Sequence, residues 1–180
     1  ALTDFASVAG AVKFVQECEK NDIKPILGCE IPLKTSNNTT ITLICKNEKG
    51  WGKLLEIVSV CNDADNFKKH PAIPIDQLFE LVDDNFICID GYVGSALFNE
   101  LVEDNKCIYS CSEYDSAGKC LKREYSKDTV VHIATFREKF GDDYYLEINR
   151  LDSETFAATK LVSNCIDEVA DSIGFKNLIA

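Results

Sequence analysis

Hydrophobic positions at the start of the chain switch from helical to extended spacing. Behind Ser7, a suitable N-cap, apolar side chains recur at helical intervals at Val8, Ala11, Val12, Val15 and Cys18. The next stretch, IKPILGCEIPL, is apolar and favours extended structure, and Pro25 suits its first turn better than a paired strand. With the short apolar run at the front, this pattern predicts a strand, a helix and a second strand.

The rest of the chain continues this alternation of strands and helices. TTITLICKN and NFICID predict strands, and EKGWGKLLEIVSVCND predicts a helix with one apolar face. IPIDQLFELVDD and GSALFNELVEDN add two predicted helices. Further on, DTVVHIATFREKF predicts a helix, YYLEINR a strand, and DSETFAATKLVSNCIDEVADSIG a long helix capped by Asp152 or Ser153 and closed by Gly174.

One segment breaks the alternation, and the remainder indicates an α/β fold. KCIYSCSEYDSAGKCLKREYS predicts a β-hairpin excursion over 106–127, around the turn DSAGK. The other elements predict a parallel or mostly parallel sheet with helices packed outside it. Functional side chains of such folds collect at the carboxyl ends of the strands. Asp4, Glu30, Asp90 and the residues after Ile148 are therefore the first candidates.

Composition narrows the class of protein. The 180 residues, 46% hydrophobic and 27% charged, suit a single globular domain over 1–180, and no apolar run approaches the length of a membrane span. A net charge of −11 disfavours direct, tight DNA binding. Nine scattered cysteines without a secretion signal favour free thiols and a cytoplasmic location. The start without Met and the abrupt end at FKNLIA lead us to expect a fragment of a longer chain.

Three stretches in order carry a resemblance to a known family. The first stretch contains ALTDF, GAVKF and IKPILGCE, the second is LICKNEKGWGKLLEIVS, and the third is FGDDYYLEI. Together they resemble the polymerase and histidinol phosphatase (PHP) domain at the N-terminus of bacterial DNA polymerase III alpha subunits. The likeness spans the chain except for the predicted hairpin. It implies a distorted (βα)7 barrel with metal ions at its C-terminal mouth. It also implies that this chain lacks the first strand, which carries a His-x-His pair in metal-binding members, and the last strand.

The resemblance also shows which metal-ligand positions have changed. Metal-binding members have Thr-Asp-His where this chain has Thr3, Asp4 and Phe5. The acidic ligand is retained as Glu30, whereas residues that ligate poorly occupy three other ligand positions, at Thr40, Tyr92 and Leu151. Arg150, beside the last of these, could supply positive charge near Asp4 and Glu30 in place of a metal. We therefore expect a vestigial metal site at seven positions: Asp4, Phe5, Glu30, Thr40, Tyr92, Arg150 and Leu151.

Three functional hypotheses follow from the resemblance. The first is a non-catalytic domain of a replicative DNA polymerase III alpha-like chain, from a bacterium or a phage, without a cofactor. It would brace the rest of the polymerase chain and dock a proofreading exonuclease subunit. The second is a metal-dependent phosphoesterase or 3′-5′ proofreading exonuclease, with Zn or Mn held by Asp4 and Glu30. The third is a free-standing adaptor descended from the polymerase domain.

Other polar residues fit ordinary roles better than catalytic ones. His70 lies in a predicted loop and His132 within a predicted helix, where we expect surface or packing roles. Cys107, Cys111 and Cys120 have spacings that match no common zinc site, so cross-strand thiols of a hairpin are the simpler interpretation. The segment EKGWGK lacks the spacing of a phosphate-binding loop.

Overall fold

The chain divides into two compact units. A computed structural model describes residues 1–35, 39–92, 94–103, 106–107, 109–118, 120–148 and 157–179. Unit 1 comprises Ala1–Ile89 with Lys139–Tyr144, and unit 2 comprises Asp90–Glu138 with Tyr145–Ala180. Within the described ranges, no helix has both the length and the apolar character needed to cross a bilayer.

Unit 1 contains a three-stranded sheet and its helices. Its elements are α1 (Ala11–Lys20), β1 (Gly28–Pro32), β2 (Thr40–Cys45), α2 (Glu48–Cys61), α3 (Ile75–Leu81) and β3 (Phe86–Asp90). The central strand β2 pairs with β1 on one side and with β3 on the other. On the other edge of β1, Leu2 and Phe5 form parallel bridges to Leu27 and Glu30.

The prediction of a mostly parallel sheet is wrong for these three strands. Both pairings, β1 with β2 and β2 with β3, are antiparallel. Only residues 33–39 connect β1 to β2, and a parallel connection needs a crossover of about a dozen residues or more. The positions of the strands and of α2 nevertheless agree with the hydrophobic pattern.

Residues on opposite faces of this sheet have different environments. Cys29, Leu43 and Cys88 face one another across the three strands and are completely buried. The apolar side of α2 is buried as well, at Leu54, Ile57, Val58 and Cys61. On the alternate positions, Glu30, Thr42 and Ile89 are only half-buried. One face of the sheet therefore contributes to the core, and the other remains partly open.

The start of α2 is fixed by contacts with the residue that precedes β3. Asn47 caps the helix by accepting the Gly50 amide hydrogen, and its Nδ2 donates to Asn85 Oδ1 at 2.7 Å. A Cβ atom on Gly50 would lie 2.6 Å from the Asn85 carbonyl oxygen. Glycine is therefore required at position 50 for this close approach, as a larger residue would displace backbone.

Unit 2 consists mainly of short strands and two long helices. The elements assigned to it in whole or in part are α4 (Phe98–Leu101), β4 (Val102–Glu103), β5 (Lys106–Cys107), β6 (Tyr109–Tyr114), β7 (Cys120–Tyr125), α5 (Lys127–Phe140), β8 (Tyr144–Glu147), α6 (Ala157–Ile173) and β9 (Leu178–Ile179). The last two residues of α5 and the first residue of β8 belong to unit 1, as does the 3₁₀ turn between them (Gly141–Asp143). Strands β4 and β5 pair antiparallel, as do β6 and β7, whereas β8 and β9 are parallel.

Two sequence expectations for this region have different outcomes. The helix predicted over GSALFNELVEDN is limited to α4, because the chain continues directly into β4. Strands β6 and β7 flank a turn in which the Gly118 amide donates to the Asp115 carbonyl oxygen, in the segment predicted to form a hairpin. That 106–127 is an insertion within a single domain stays a prediction. The described strands form open sheets in each unit, so the seven-stranded barrel also stays a proposal.

The described cysteines are mostly buried thiols. Cys18, Cys29, Cys61 and Cys88 are buried and free, and Cys45 is half-buried and free. Burial raises the pKa of Cys29 and of Cys45 to about 11, and the pKa of Cys61 to about 12. Cys165 instead participates in a disulfide, so the expectation of free thiols is wrong for this residue.

Candidate functional site

Phe5 and Glu30 lie side by side on neighbouring extended segments. The Glu30 amide donates to the Asp4 carbonyl oxygen at 3.1 Å, and the Ala6 amide donates to the Glu30 carbonyl oxygen at 2.9 Å. Phe5 is bridged directly to Glu30, so the two side chains share one face of the sheet. Phe5 is 51% exposed. A benzyl group therefore lies beside the Glu30 carboxylate, at one of the positions predicted to form a vestigial metal site.

Asp4 points away from Glu30. Its Oδ2 lies 3.2 Å from where a Cβ atom on Gly10 would be, and the Leu2 side chain approaches the same point. By contrast, Thr3 Cγ2 is next to Gly28, on the Glu30 face. The alternation of side chains along the extended segment thus places the two acids on opposite faces. The structure does not bring Asp4 and Glu30 together as a pair of ligands.

Glu30 is hydrogen-bonded by the residue at another of the predicted site positions. Thr40 Oγ1 donates to Glu30 Oε1 at 2.7 Å. Thr40 is the first residue of β2 and is 5% exposed, whereas Glu30 is half-buried. Because a threonine hydroxyl has a single proton, Thr40 can donate no second hydrogen bond while it donates to the Glu30 carboxylate.

The remaining predicted positions are described only in part. Tyr92 is half-buried and follows Gly91, whose φ of +92° turns the chain after β3. The Tyr92 carbonyl oxygen accepts the Ser95 amide hydrogen at 2.9 Å. Arg150 and Leu151 lie outside the described residues, so their predicted roles stay predictions.

The described donors do not suit the metal cluster that the family resemblance implies. Hydrolytic metal sites use imidazole, thiolate and carboxylate ligands held in a fixed geometry. At the described positions, Phe5 has no lone pair, and the Thr40 hydroxyl donates a hydrogen bond to Glu30. Asp4 is directed to the other face of the sheet. Glu30 is the one strong ligand among the described positions that faces the shared surface.

A second carboxylate, Asp90, was not assigned a partner from the sequence. It ends β3, is completely buried, and its Oδ2 lies 2.8 Å from Nε2 of His132 on α5. Its Oδ1 accepts the amide hydrogens of Gly91 at 2.7 Å and of Leu97 at 3.2 Å. The sequence contained one signal for this pair, because His132 is next to Ile133 and one helical turn before Phe136. All three side chains are buried or nearly buried in the structure. A polar group on a buried helix face requires a partner.

The surroundings of Asp90 stabilise its charged form. Burial alone raises the pKa of a carboxyl group, but the hydrogen bond and charge of His132, with the hydrogen bonds from Ser95 and Gly91, outweigh that effect. The pKa of Asp90 consequently lies below its usual value. The His132 ring also stacks on Phe136, with ring centroids 4.5 Å apart. This pair is a buried structural interaction, since the His132 side chain is 8% exposed and Asp90 is not exposed.

A separate cleft of about 530 Å³ lies at the other end of the unit 1 sheet. Its walls come from the residues before β1, the end of β2 and the first turn of α2, including Ile26, Ile44 and Trp51. Glu30 and Thr40 are not among its lining residues. The cleft is therefore distinct from the candidate site.

Comparisons with known proteins identify relatives over most of the chain. A family model described as the PHP domain matches residues 1–151. DNA polymerase III subunit alpha of Borreliella burgdorferi is 30% identical over 162 residues, covering 83% of this chain and 12% of that protein. The same subunit of Chlamydia pneumoniae is 24% identical over 174 residues, covering 89% and 12%, and that of Haemophilus influenzae is 26% identical over 173 residues, covering 91% and 13%.

This chain thus spans only a small part of the length of each of these relatives. The family match, however, includes Phe5, Glu30, Thr40, Tyr92 and the Asp90–His132 pair. Because the family model covers most of the sequence, the chain belongs to the PHP domain family.

Proposed function

We propose that this PHP domain is a non-catalytic, structural part of a replicative DNA polymerase III alpha-like chain, at its N-terminal end. The observation that supports this most directly is the arrangement around Glu30. Its carboxylate is flanked by Phe5 and accepts a hydrogen bond from Thr40 at 2.7 Å. Side chains that take part in hydrogen bonding and packing thus occupy positions where the family resemblance implies metal ligands.

Metal-dependent hydrolysis would need more than this arrangement offers. A multi-metal phosphoesterase activates water and stabilises phosphate oxygens through several correctly placed ligands. With Asp4 on the opposite face, Glu30 has no second carboxylate among the described candidates to share an ion with. We therefore propose that the domain holds no catalytic metal and uses no cofactor.

The edge of the first extended segment supports completion of a barrel. Its ladder with β1 uses the backbone groups of Leu2, Asp4 and Ala6. The backbone groups of Thr3 and Phe5 point to the other side, and no hydrogen bond to them occurs within the described part of the chain. A free strand edge of this kind pairs readily with another strand. We infer that a strand from the rest of the polymerase chain pairs here and closes the distorted (βα)7 barrel.

The half-buried face of the unit 1 sheet fits the inside of such a barrel. Glu30, Thr42 and Ile89 lie in one row across the three strands, and Ile44 and Ile87 in the next. All five side chains are half-buried. Barrel interiors alternate with exteriors along each strand, which matches the contrast with the buried opposite face.

The proposed partners are proteins rather than nucleic acid. The rest of the polymerase chain is the first, and a proofreading exonuclease subunit is the second. The net charge of −11 opposes direct, tight DNA binding by this domain. The proposed location is the cytoplasm, where replication of a bacterial chromosome takes place.

Phosphodiester hydrolysis tests the proposal against its enzymatic alternative. The chain and its parent polymerase would be incubated with Mn²⁺ or Zn²⁺, a chromogenic phosphodiester and a 3′-labelled oligonucleotide. We expect no turnover above the metal-only background. Turnover that is lost in Glu30→Gln, while the variant keeps its fold by circular dichroism, would instead support a metal-dependent phosphoesterase or 3′-5′ exonuclease.

A further inference from the structure

We propose that the Asp90–His132 pair is a latch that holds the described residues of the turn after β3, Gly91, Tyr92 and Gly94–Leu97, against helix α5. We call Asp90 and His132 the latch, and Gly91, Tyr92 and Gly94–Leu97 the latch turn. The inference does not depend on the proposed function, because it concerns local opening of unit 2.

The two oxygens of Asp90 connect different parts of the unit. Oδ1 accepts amide hydrogens from both ends of the latch turn, at Gly91 and at Leu97. Oδ2 pairs with His132 Nε2 at 2.8 Å, on the second turn of α5. One carboxylate therefore links the closure of the turn to the helix, so loss of the helix contact weakens both connections.

Ser95 reinforces the latch turn from within. Its Oγ accepts the amide hydrogens of Gly91 at 3.0 Å and of Phe98 at 3.2 Å, the latter at the start of α4. Ser95 and Asp90 share the Gly91 amide as a donor. Residue 91 must also be able to adopt a positive φ, and a Cβ atom there would lie 2.7 Å from Ile166 Cδ1. The turn is thus held by polar bonds to a few defined atoms.

Because these polar groups are buried, the loss of one hydrogen bond has a large effect on the closed state. Asp90 and Ser95 have no exposed surface, and the His132 side chain is 8% exposed. A buried acceptor that loses a donor cannot replace it with bulk water unless the structure opens. Removing the His132 contact should therefore favour a locally open state in which water reaches Asp90, with the latch turn released from α5. Tyr92 would move with that turn.

Hydrogen exchange measured by mass spectrometry tests this proposal. In His132→Phe the ring that stacks on Phe136 is retained, whereas the hydrogen bond to Asp90 is lost. We expect the amides of Gly91, Tyr92 and Ser95–Phe98 to exchange about tenfold faster or more, with no change in β1 and β2. The matched control Tyr125→Phe removes a 2.9 Å bond to Glu168 in the same unit and should leave the latch turn unchanged.

Two results would overturn the latch. One is an equal increase of exchange throughout the chain, which would show that the pair contributes only to global stability. The other is unchanged exchange in the latch turn. If His132→Phe does not fold, Asp90→Asn takes its place, because its amide oxygen can still accept from Gly91 and Leu97. The same amides should then exchange faster by a smaller factor, and an unchanged or uniform pattern would again contradict the proposal.

Discussion

Glu30 and Asp90 are two carboxylates with side-chain donors at almost the same distance but in different surroundings. Thr40 donates to Glu30 at 2.7 Å, and His132 lies 2.8 Å from Asp90. Glu30 is half-buried, beside an exposed phenylalanine, whereas Asp90 is completely buried. Water can replace a lost donor at Glu30 far more easily than at Asp90. The two bonds should therefore differ greatly in their contribution to stability, despite similar lengths.

The two carboxylates also differ in the roles that we propose for them. Glu30 and its partner Thr40 are both at positions where the family resemblance places metal ligands. Asp90 is bonded to its own turn and to α5. Strong bonding of an acid therefore does not by itself indicate a catalytic site, and the half-buried Glu30 is the acid to test for metal.

The largest effect is expected from removing the latch histidine. His132→Ala removes the imidazole that pairs with the buried Asp90 charge, and breaking a buried pair of this kind typically costs about 3–5 kcal/mol. Urea denaturation followed by circular dichroism measures the loss in free energy of unfolding. A loss under about 1 kcal/mol would put Asp90 in the same class as Glu30 and remove the contrast between them.

The next effect is a dependence of stability on pH that arises from Asp90. Since the folded-state pKa of Asp90 is lowered, its contribution is complete above the unfolded value of about 3.9 and is lost as pH falls through the lower folded value. The difference in free energy of unfolding between the natural chain and Asp90→Asn should therefore shrink below about pH 4. Urea titrations at pH 7, 4 and 3 measure it, and a difference independent of pH would contradict the assignment.

A smaller effect is expected at the half-buried carboxylate of Glu30. Thr40→Val removes the hydroxyl that bonds Glu30 but keeps the shape of the side chain. Because water can reach the half-buried Glu30, we expect a loss of about 1 kcal/mol or less in urea denaturation. Glu30→Gln, which retains an acceptor oxygen, is the matched variant. A loss as large as that of His132→Ala would show that exposure does not separate the two pairs.

The smallest effect is expected at Phe5. Phe5→His places an imidazole beside Glu30 on an exposed position, so the free energy of unfolding should change by no more than about 0.5 kcal/mol. A single histidine also leaves Thr40 bonded to Glu30. Calorimetric titration with Zn²⁺ should thus show no tight site in this variant. Tight binding by Phe5→His alone would mean that one substitution separates this domain from a metal centre.

The sequence predicted local structure better than it predicted contacts. The spacing of apolar residues in α2 and the turn chemistry around DSAGK indicated elements that the structure contains. The direction of β2 was predicted wrongly, because a hydrophobic pattern does not distinguish parallel from antiparallel pairing. The short link over 33–39 was the available evidence for antiparallel pairing.

The contacts of the candidate site could not be predicted from the sequence either. The family resemblance singled out Glu30 and Thr40, but their hydrogen bond depends on the register of β1 and β2. The opposite orientation of Asp4 depends on which edge of β1 the first segment occupies. Asp90 and His132 are 42 residues apart, and only tertiary structure brings them together. Such pairs cannot be derived from spacing along one chain.

The metal content of the protein tests the central claim most directly. The chain, and the longer polymerase chain of which we propose it is a part, would be purified without chelator, supplied with Mn²⁺ and Zn²⁺, and dialysed. Inductively coupled plasma mass spectrometry would then compare their metal content with that of Glu30→Ala. We expect far less than one metal ion per chain, with no difference between the natural protein and the variant. One or more ions per chain, lost in Glu30→Ala, would contradict it and establish Glu30 as a working metal ligand.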